Sequence, residues 1–394
     1  MSRPRLGRTV IGLGLVSLLT DASSEMIYPL LPVFLTTVLG AGVGQVGIIE
    51  GAAEAISSLL KLVSGAISDR LQRRKPLVLF GYGLSALMRP CLALMQSAAG
   101  VLLLRLGDRV GKGLRSGARD ALLADAAPPE SRGRAYGLHR ALDNAGAVIG
   151  PLGASLLLAA GVGLRPLFLI TAIPGVLALL VLLLVVREAP RVSPRPRPLA
   201  IAGSGPTRLP PSLRRYLGAL AVFSLGNSSD AFLLLWARDA GVPTDQVPLL
   251  WMAHNAIKAL LCAPLGALSD RWGRRRVILL SWALYATVYA GCAGLRGPAW
   301  AWTLLCIYGV YYALLEGAER ALVADLAPVA LRGRAFGWFY GVTGACALPA
   351  SLLFARLYAR PMGAVLAFGT GAVLAALAAL LLLRVPTDRA GAGG

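Results

Sequence analysis

An all-α membrane protein, with twelve transmembrane helices in two pseudo-symmetric six-helix bundles, is the fold class this sequence predicts. Three observations carry that reading. The chain of 394 residues is 56% hydrophobic and only 15% charged, whereas soluble domains carry about 25% charged residues. Apolar runs long enough to cross a bilayer, about 20 residues each, recur along its whole length. Two short patterns also return half a chain later. Gly65-Ala-Ile-Ser-Asp69-Arg70-Leu-Gln-Arg73-Arg74-Lys75 comes back as Gly266-Ala-Leu-Ser-Asp270-Arg271-Trp-Gly-Arg274-Arg275-Arg276. Asp125, followed by Arg132-Gly133-Arg134-Ala135, comes back as Asp325, followed by Arg332-Gly333-Arg334-Ala335. Unrelated patterns repeating in the same order mean a duplicated half, and in so apolar a chain this points to a transporter built of repeats.

The first apolar run, 10–38, follows Arg3, Arg5 and Arg8 and imitates a signal peptide. Asp21 and Glu25 interrupt it and no small-residue cleavage site follows, so it reads as a retained first helix. Runs at 44–68, 76–97, 100–126, 133–160 and 166–186 complete a first bundle, residues 1–187. The segment 188–213 carries Pro190, Pro194, Pro196, Pro198, Pro206, Pro210 and Pro211 among arginines. Proline favours a stiff extended chain, so this is the linker. Runs at 215–239, 246–269, 276–295, 299–327, 334–358 and 362–384 form the second bundle, residues 214–394.

Loop charge sets the orientation. One set of loops holds Arg70, Arg73, Arg74 and Lys75, then Arg132 and Arg134, the linker arginines, Arg271 and Arg274 to Arg276, and Arg332 and Arg334. The opposite set holds little beyond Arg165, Arg238, Arg296 and Arg360. Basic loops stay on the cytoplasmic side, so both termini are expected there, in the inner (plasma) membrane. The net charge of +20 does not indicate nucleic acid, because the basic residues fall in clusters between apolar runs and not along one face. The five cysteines all lie in apolar runs without a Cys-x-x-Cys pair and read as packing residues.

The element between the second and third runs, echoed between the eighth and ninth, resembles the best-known signature of the major facilitator superfamily. Nearly the whole chain shares the resemblance: twelve spans, the duplicated signature and the central basic linker. The first copy departs from the family pattern by carrying Gln72 where the second keeps Gly273. Arg105, in the fourth run, resembles the superfamily's span-4 arginine, which is linked to coupling in proton-driven exporters. Gly146-(x)3-Gly150-Pro151-(x)-Gly153 partly resembles the glycine-rich span-5 element of exporter branches, although close helix packing accounts for it as well. The resemblance implies that the loop clusters lock the cytoplasmic side and release as the halves rock. The gate set is Gly65, Asp69, Arg70, Arg73 and Asp125, mirrored by Gly266, Asp270, Arg271, Arg274 and Asp325.

The charges inside the runs are the functional signal. A charge at the bilayer centre costs about 2.5–3.5 kcal/mol even on the mild insertion scale. Yet the first run holds Asp21 and Glu25, the second Glu50, Glu54 and Lys61, the third Arg89, and the fourth Arg105, Asp108, Arg109, Lys112 and Arg115. The fifth holds His139, Arg140, Asp143 and Asn144, the seventh Asn227 and Asp230, the eighth His254 and Lys258, and the tenth Glu316, Glu319 and Arg320. Such groups must pair with one another or line a watered cavity. Asp21, Glu25, Glu54, Arg105 and Asp230 form the expected proton-coupling set, Glu25 foremost. Glu50, Arg89, Arg109, Lys112, Asp143, Asn144, Asn227, His254 and Lys258 form the expected substrate-binding set, with Arg109 and Lys112 placed to meet an anionic group. Glu319 joins the gate set because Arg119-Asp120 returns as Glu319-Arg320. A cage of salt bridges that only tethers the helices is the alternative for the same residues.

Other chemistries lack their motifs. Gly107-Asp-Arg-Val-Gly111-Lys112-Gly113 has its glycines four apart, no Ser or Thr after the lysine and no preceding strand, so it is no phosphate loop. No metal-spaced Cys/His cluster or nucleophile elbow occurs, so neither a cofactor nor a metal is expected. The expected function is secondary active transport of a small molecule by a monomer in the lipid bilayer. Proton-coupled efflux of an amphipathic or anionic compound leads. A proton-coupled importer of an organic anion or metal chelate is the alternative, and a non-transporting receptor or a membrane enzyme are the readings from other classes.

Overall fold

The computed structural model describes residues 7–70, 74–127, 132–188, 209–328 and 331–386, with the side chains of 61–70, 132–134, 332 and 333 left out. Gln72, Arg73 and the linker prolines from Pro190 to Pro206 lie outside the described residues. All regular structure among those described is helical. The helices are α1 (Arg8–Ile27), α2 (Val43–Arg70), α3 (Lys75–Cys91), α4 (Ala98–Ala126), α5 (Arg132–Ala159), α6 (Leu164–Ile170) and α7 (Ala172–Leu184). After the linker come α8 (Pro211–Gly226), α9 (Ala231–Asp239), α10 (Val247–Trp272), α11 (Arg274–Gly294), α12 (Pro298–Leu326), α13 (Arg332–Tyr358) and α14 (Gly363–Leu383). Among the described residues, eleven continuous or jointed helices are long and apolar enough to cross a membrane. The 29-residue α4 makes the twelfth; it is long enough but carries the densest run of charges. The chain is an all-α membrane protein of two six-span bundles.

Three spans are jointed where the sequence pattern predicts continuous helices. The first passes from α1 through a 3-10 turn, Tyr28–Leu30, and a π turn, Phe34–Val38. Pro29 and Pro32 each lack the N–H that an α ladder needs there. The sixth breaks at Thr171, whose Oγ1 bonds back to the Phe168 carbonyl at 2.6 Å and whose own carbonyl accepts Ser23 Oγ at 3.0 Å; local side-chain bonding of this kind competes with the helix. The seventh breaks between α8 and α9, at 227–230, and tyrosines satisfy the freed groups. Tyr285 donates to the Gly226 carbonyl at 2.9 Å, and Ser228 Oγ meets the Tyr289 hydroxyl at 3.2 Å. Broken spans in transporters are tolerated where side chains take over the backbone's partners.

The chain forms two compact units. The first comprises 1–41, 56–197 and 244–252, the second 42–55, 198–243 and 253–394. Each unit therefore takes one short stretch, 244–252 or 42–55, from across the linker. In the first, α1 lies directly on α5. A Cβ added at Gly146 would meet the Leu18 carbonyl oxygen and the Asp21 Cβ, and one at Gly150 the Ala22 backbone. The two glycines let helix backbones touch, as small residues do in membranes. Gly146→Ala is expected to force α1 and α5 apart at a cost of about 1–3 kcal/mol. Thermal unfolding of the purified protein checks this; an unchanged midpoint would contradict it. Below this contact an apolar cluster that includes Val10, Leu13, Val16, Val78, Leu122 and Leu182 is fully buried.

The second unit is built around rings. Phe223 stacks on Trp282 at 4.6 Å, Tyr285 on Tyr289 at 4.1 Å and Tyr308 on Tyr311 at 5.1 Å. Ring pairs in such geometry add to area burial. In the same unit, 42–55 packs its glycines on α13: a Cβ at Gly47 would meet Ala355 and Phe232, and one at Gly51 would meet Ser351 and Leu348.

Candidate functional site

In the first unit the charges of α3 and α4 form a buried ionic cage. Asp108 accepts from Arg89 Nε at 3.1 Å, and both side chains are only 5% exposed. Arg105 Nη1 approaches the second Asp108 oxygen at 4.0 Å. Arg89 also donates to the Thr20 carbonyl on α1 at 2.8 Å, which ties three helices together. Two turns further along α4, Arg115 donates to Ser85 at 2.7 Å and lies 4.4 Å over the Tyr82 ring. Arg105, Asp108, Lys112 and Arg115 follow at three- or four-residue spacing, so they share one stripe of the helix.

A second polar layer joins α1 to α5. Ser17 donates to Asp143 Oδ1 at 2.6 Å and Arg140 to Oδ2 at 3.1 Å. The Asp21 carboxyl lies in hydrogen-bond contact with that of Asp143, with Lys112 nearby. Asn144 follows Asp143, half-buried, and Arg109 is half-buried on α4. One helical turn beyond Asp21, Glu25 accepts from the indole Nε1 of Trp251 at 2.7 Å. Trp251 also packs on Tyr28 at 5.1 Å, and Arg105 lies over the Tyr28 ring at 5.8 Å. Trp251 comes from 244–252, the stretch this unit takes from beyond the linker.

In the second unit, Asp230 sits at the break between α8 and α9. It accepts from Tyr308 at 2.7 Å and from Tyr312 at 3.2 Å. Lys258 lies 5.6 Å over the Tyr312 ring, and both it and Glu54 are within electrostatic reach of Asp230. His254 is buried against Tyr308 and Tyr312, with Nδ1 3.4 Å from the Leu305 carbonyl. Asn227, at the same break, has its Oδ1 buried without a hydrogen-bond partner among the described residues, and Glu50 is buried in the 42–55 stretch.

Aligning the halves at an offset of 200 exposes what the charge pattern misses. Arg89, Asp108 and Lys112 of the cage correspond to Tyr289, Tyr308 and Tyr312. The same positions are ionic in one bundle and phenolic in the other. Tyrosine carries no charge signal, so Tyr308 and Tyr312, which bond Asp230, escape a search for buried charges; the internal repeat would have found them. Trp251 escapes for the same reason.

The loop clusters at the basic end are also paired. Arg274 Nε meets Asp325 at 2.6 Å and its Nη2 meets Asp270 at 3.5 Å. In the first half it is Arg74 that meets Asp125, at 2.7 Å, while Arg73 lies outside the described residues. Gly65 and Gly266 are 201 apart and Asp125 and Asp325 are 200 apart, so one extra residue lies between these two points in the first half, and at the offset of 200 Arg74 aligns with Arg274. Gly65, Asp69 and Arg70 lie on α2, where only the backbone is described, and Arg271 is exposed at the end of α10. Gly266 lies inside α10 with no side chain near its Cβ position. Gly273 opens α11 with φ at +87°, a conformation cheap only for glycine. Lys75 donates to the Val186 carbonyl at 2.6 Å, and its counterpart Arg275 to the Val385 carbonyl at 2.8 Å. Both cap the last turn of a bundle's sixth span with a cation, where the helix dipole favours one. Glu319 does not share in these pairs; its buried Oε1 has no hydrogen-bond partner among the described residues, and it lies near Tyr216 and Tyr311. No group of three or more potential metal ligands occurs among the described residues.

Known proteins place this architecture. Residues 13–350 match the sequence profile of the Major Facilitator Superfamily. An uncharacterized MFS-type transporter of Methanocaldococcus jannaschii is 34% identical over 96% of this chain and 95% of its own. Multidrug resistance protein MdtH of Aeromonas hydrophila is 28% identical over 85% of this chain and 83% of its own. Among solved structures, a bacterial homolog of the human lysosomal transporter Spinster superposes with a TM-score of 0.77 at 17% identity, covering 100% of both chains; that likeness concerns the fold. The buried ionic layers described above therefore belong to a multi-pass membrane transporter, not an enzyme, and the chain is a member of the Major Facilitator Superfamily.

Proposed function

We propose that this transporter is a proton-coupled exporter of small amphipathic compounds. The observation that carries the reading is the bond between Glu25 and Trp251. A carboxylate at mid-span accepts an indole N–H from residues on the far side of the linker. Ionised, Glu25 is a strong acceptor; protonated, it is a weaker one, and a charge-assisted hydrogen bond of about 1.5–3 kcal/mol is reduced. Proton binding at Glu25 thereby loosens a contact between sequence halves. Asp21 and Asp143 form an adjacent carboxyl pair that can hold a proton, with Lys112 as a neighbouring cation. Asp230, gripped by two tyrosines, is the corresponding group of the second bundle, and Arg105 and Glu54 complete the coupling set. Arg89 serves as a tether in the cage, while Arg109, Lys112, Asn144, Asn227, His254, Lys258 and Glu50 supply polar contacts to substrate.

In this mechanism residues 1–187 and 214–394 move as the two bundles of an alternating-access cycle, joined by 188–213. Both termini face the cytoplasm, the protein acts as a monomer, and the Arg74–Asp125 and Arg274–Asp325 pairs form its gate. The export direction draws on the relatives named as multidrug resistance proteins. The test is accumulation of an amphipathic dye by everted membrane vesicles with an acidified lumen. Uptake that vanishes when the gradient is collapsed supports the reading; dye movement indifferent to the gradient rules proton coupling out.

A further inference from the structure

The end of the second unit opposite its basic loops carries a cavity of about 240 Å³, lined by Trp236, Asp239, Ala240, Arg296, Tyr358 and Ala364. None of these residues belongs to the transport site. Three features make it a built site. Among the described residues Arg296 bonds only main-chain carbonyls, those of Cys292 and Leu295, both through Nη1, so Nε and Nη2 stay available to a ligand. The indole of Trp236 is 1% exposed and its Nε1–H has no hydrogen-bond partner among the described residues. Asp239 takes the Tyr358 hydroxyl on Oδ2 at 2.7 Å, which fixes the carboxylate and leaves Oδ1 open. A guanidinium and a carboxylate thus line one cavity without pairing to each other. That arrangement complements a ligand that carries both charges.

The surroundings say where such a ligand comes from. Trp300, four residues after Arg296, is 46% exposed, as expected of the aromatic belt at a membrane–water interface. Beside Ala364, the apolar side chains of Met362, Val365 and Leu366 are exposed as well, a surface against which acyl chains can lie. We propose that this cavity holds the phosphate–ammonium head of a zwitterionic phospholipid, with Arg296 and Trp236 on the phosphate and Asp239 on the ammonium.

The test is native mass spectrometry of the full chain with phosphatidylethanolamine and phosphatidylglycerol, which share the phosphate but not the ammonium. It reads lipid retention and not transport, so it stands or falls independently of the proposed function. Wild type is expected to retain phosphatidylethanolamine over phosphatidylglycerol. Arg296→Gln should weaken both by about tenfold, the loss of a charge-assisted contact. Asp239→Asn should keep phosphatidylglycerol binding and lose the preference. Both side chains are exposed, so neither change threatens the fold. Equal retention of the two lipids by wild type, or variants that behave as wild type, would overturn the proposal. Retention of soluble phosphoethanolamine as tightly as of phosphatidylethanolamine would overturn the phospholipid as the source.

Discussion

Glu25→Gln is expected to abolish gradient-driven accumulation, reducing it at least tenfold, while leaving folded protein at wild-type levels. The amide keeps the side chain's shape and its oxygen can still accept from Trp251, so the packing of Tyr28, Trp251 and Arg105 survives. What is lost is the exchange of a proton at that oxygen. An exporter that alternates between a charged and a neutral Glu25 is then fixed in the neutral form. Substrate exchange across the membrane without a gradient should persist, because it needs no net proton movement. Everted vesicles measure the first quantity and counterflow in proteoliposomes the second. Gradient-driven accumulation at the wild-type level would remove Glu25 from coupling.

Asp108→Asn should produce the largest loss of stability. The Arg89–Asp108 pair has both side chains 5% exposed, and Arg105 leans on the same carboxylate at 4.0 Å. Removing the anion leaves two buried guanidinium groups facing each other in an apolar span. Breaking a buried pair from one side costs about 3–5 kcal/mol, because the abandoned charge keeps its desolvation penalty. Arg89 would also pull against its bond to the Thr20 carbonyl, loosening α1. The expected outcome is a sharply lowered thermal midpoint in detergent. Arg89→Met and Arg105→Met together with Asp108→Leu should recover much of it, since apolar side chains of similar volume remove all three charges. A single variant as stable as wild type would mean the cage is not holding α1, α3 and α4 together.

The positions of the spans were legible because a bilayer demands about 20 apolar residues per crossing, and that demand overrides local detail. Local detail is where the pattern ran out. Hydropathy does not see the breaks at 28–38, Thr171 and 227–230, because prolines and short polar residues alter the ladder without altering the apolar average. Of the site, the buried charges were visible by their cost: Asp21, Glu25, Arg89, Arg105 and Asp230 all stand out against their runs. Their partners were less visible. Tyr308, Tyr312 and Trp251 are ordinary residues for an apolar helix, and only three-dimensional proximity makes them ligands of carboxylates. In the first basic loop Arg74 meets Asp125, a pairing that motif spacing alone does not name, while Arg73 lies outside the described residues. Gln72 and Gly273 differ in the same loop, and the positive φ at Gly273 shows what the second copy gains from its glycine.

In the proposed mechanism, carboxylates inside the spans trade protons as substrate comes and goes. The direct measurement is the pH change of a weakly buffered solution of purified protein when a transported amphipathic dye is added. Wild type is expected to exchange protons with solution on binding the dye, and Glu25→Gln and Asp21→Asn are expected to exchange fewer. Dye binding with no proton exchange in wild type, or with the same exchange in all three proteins, would contradict it.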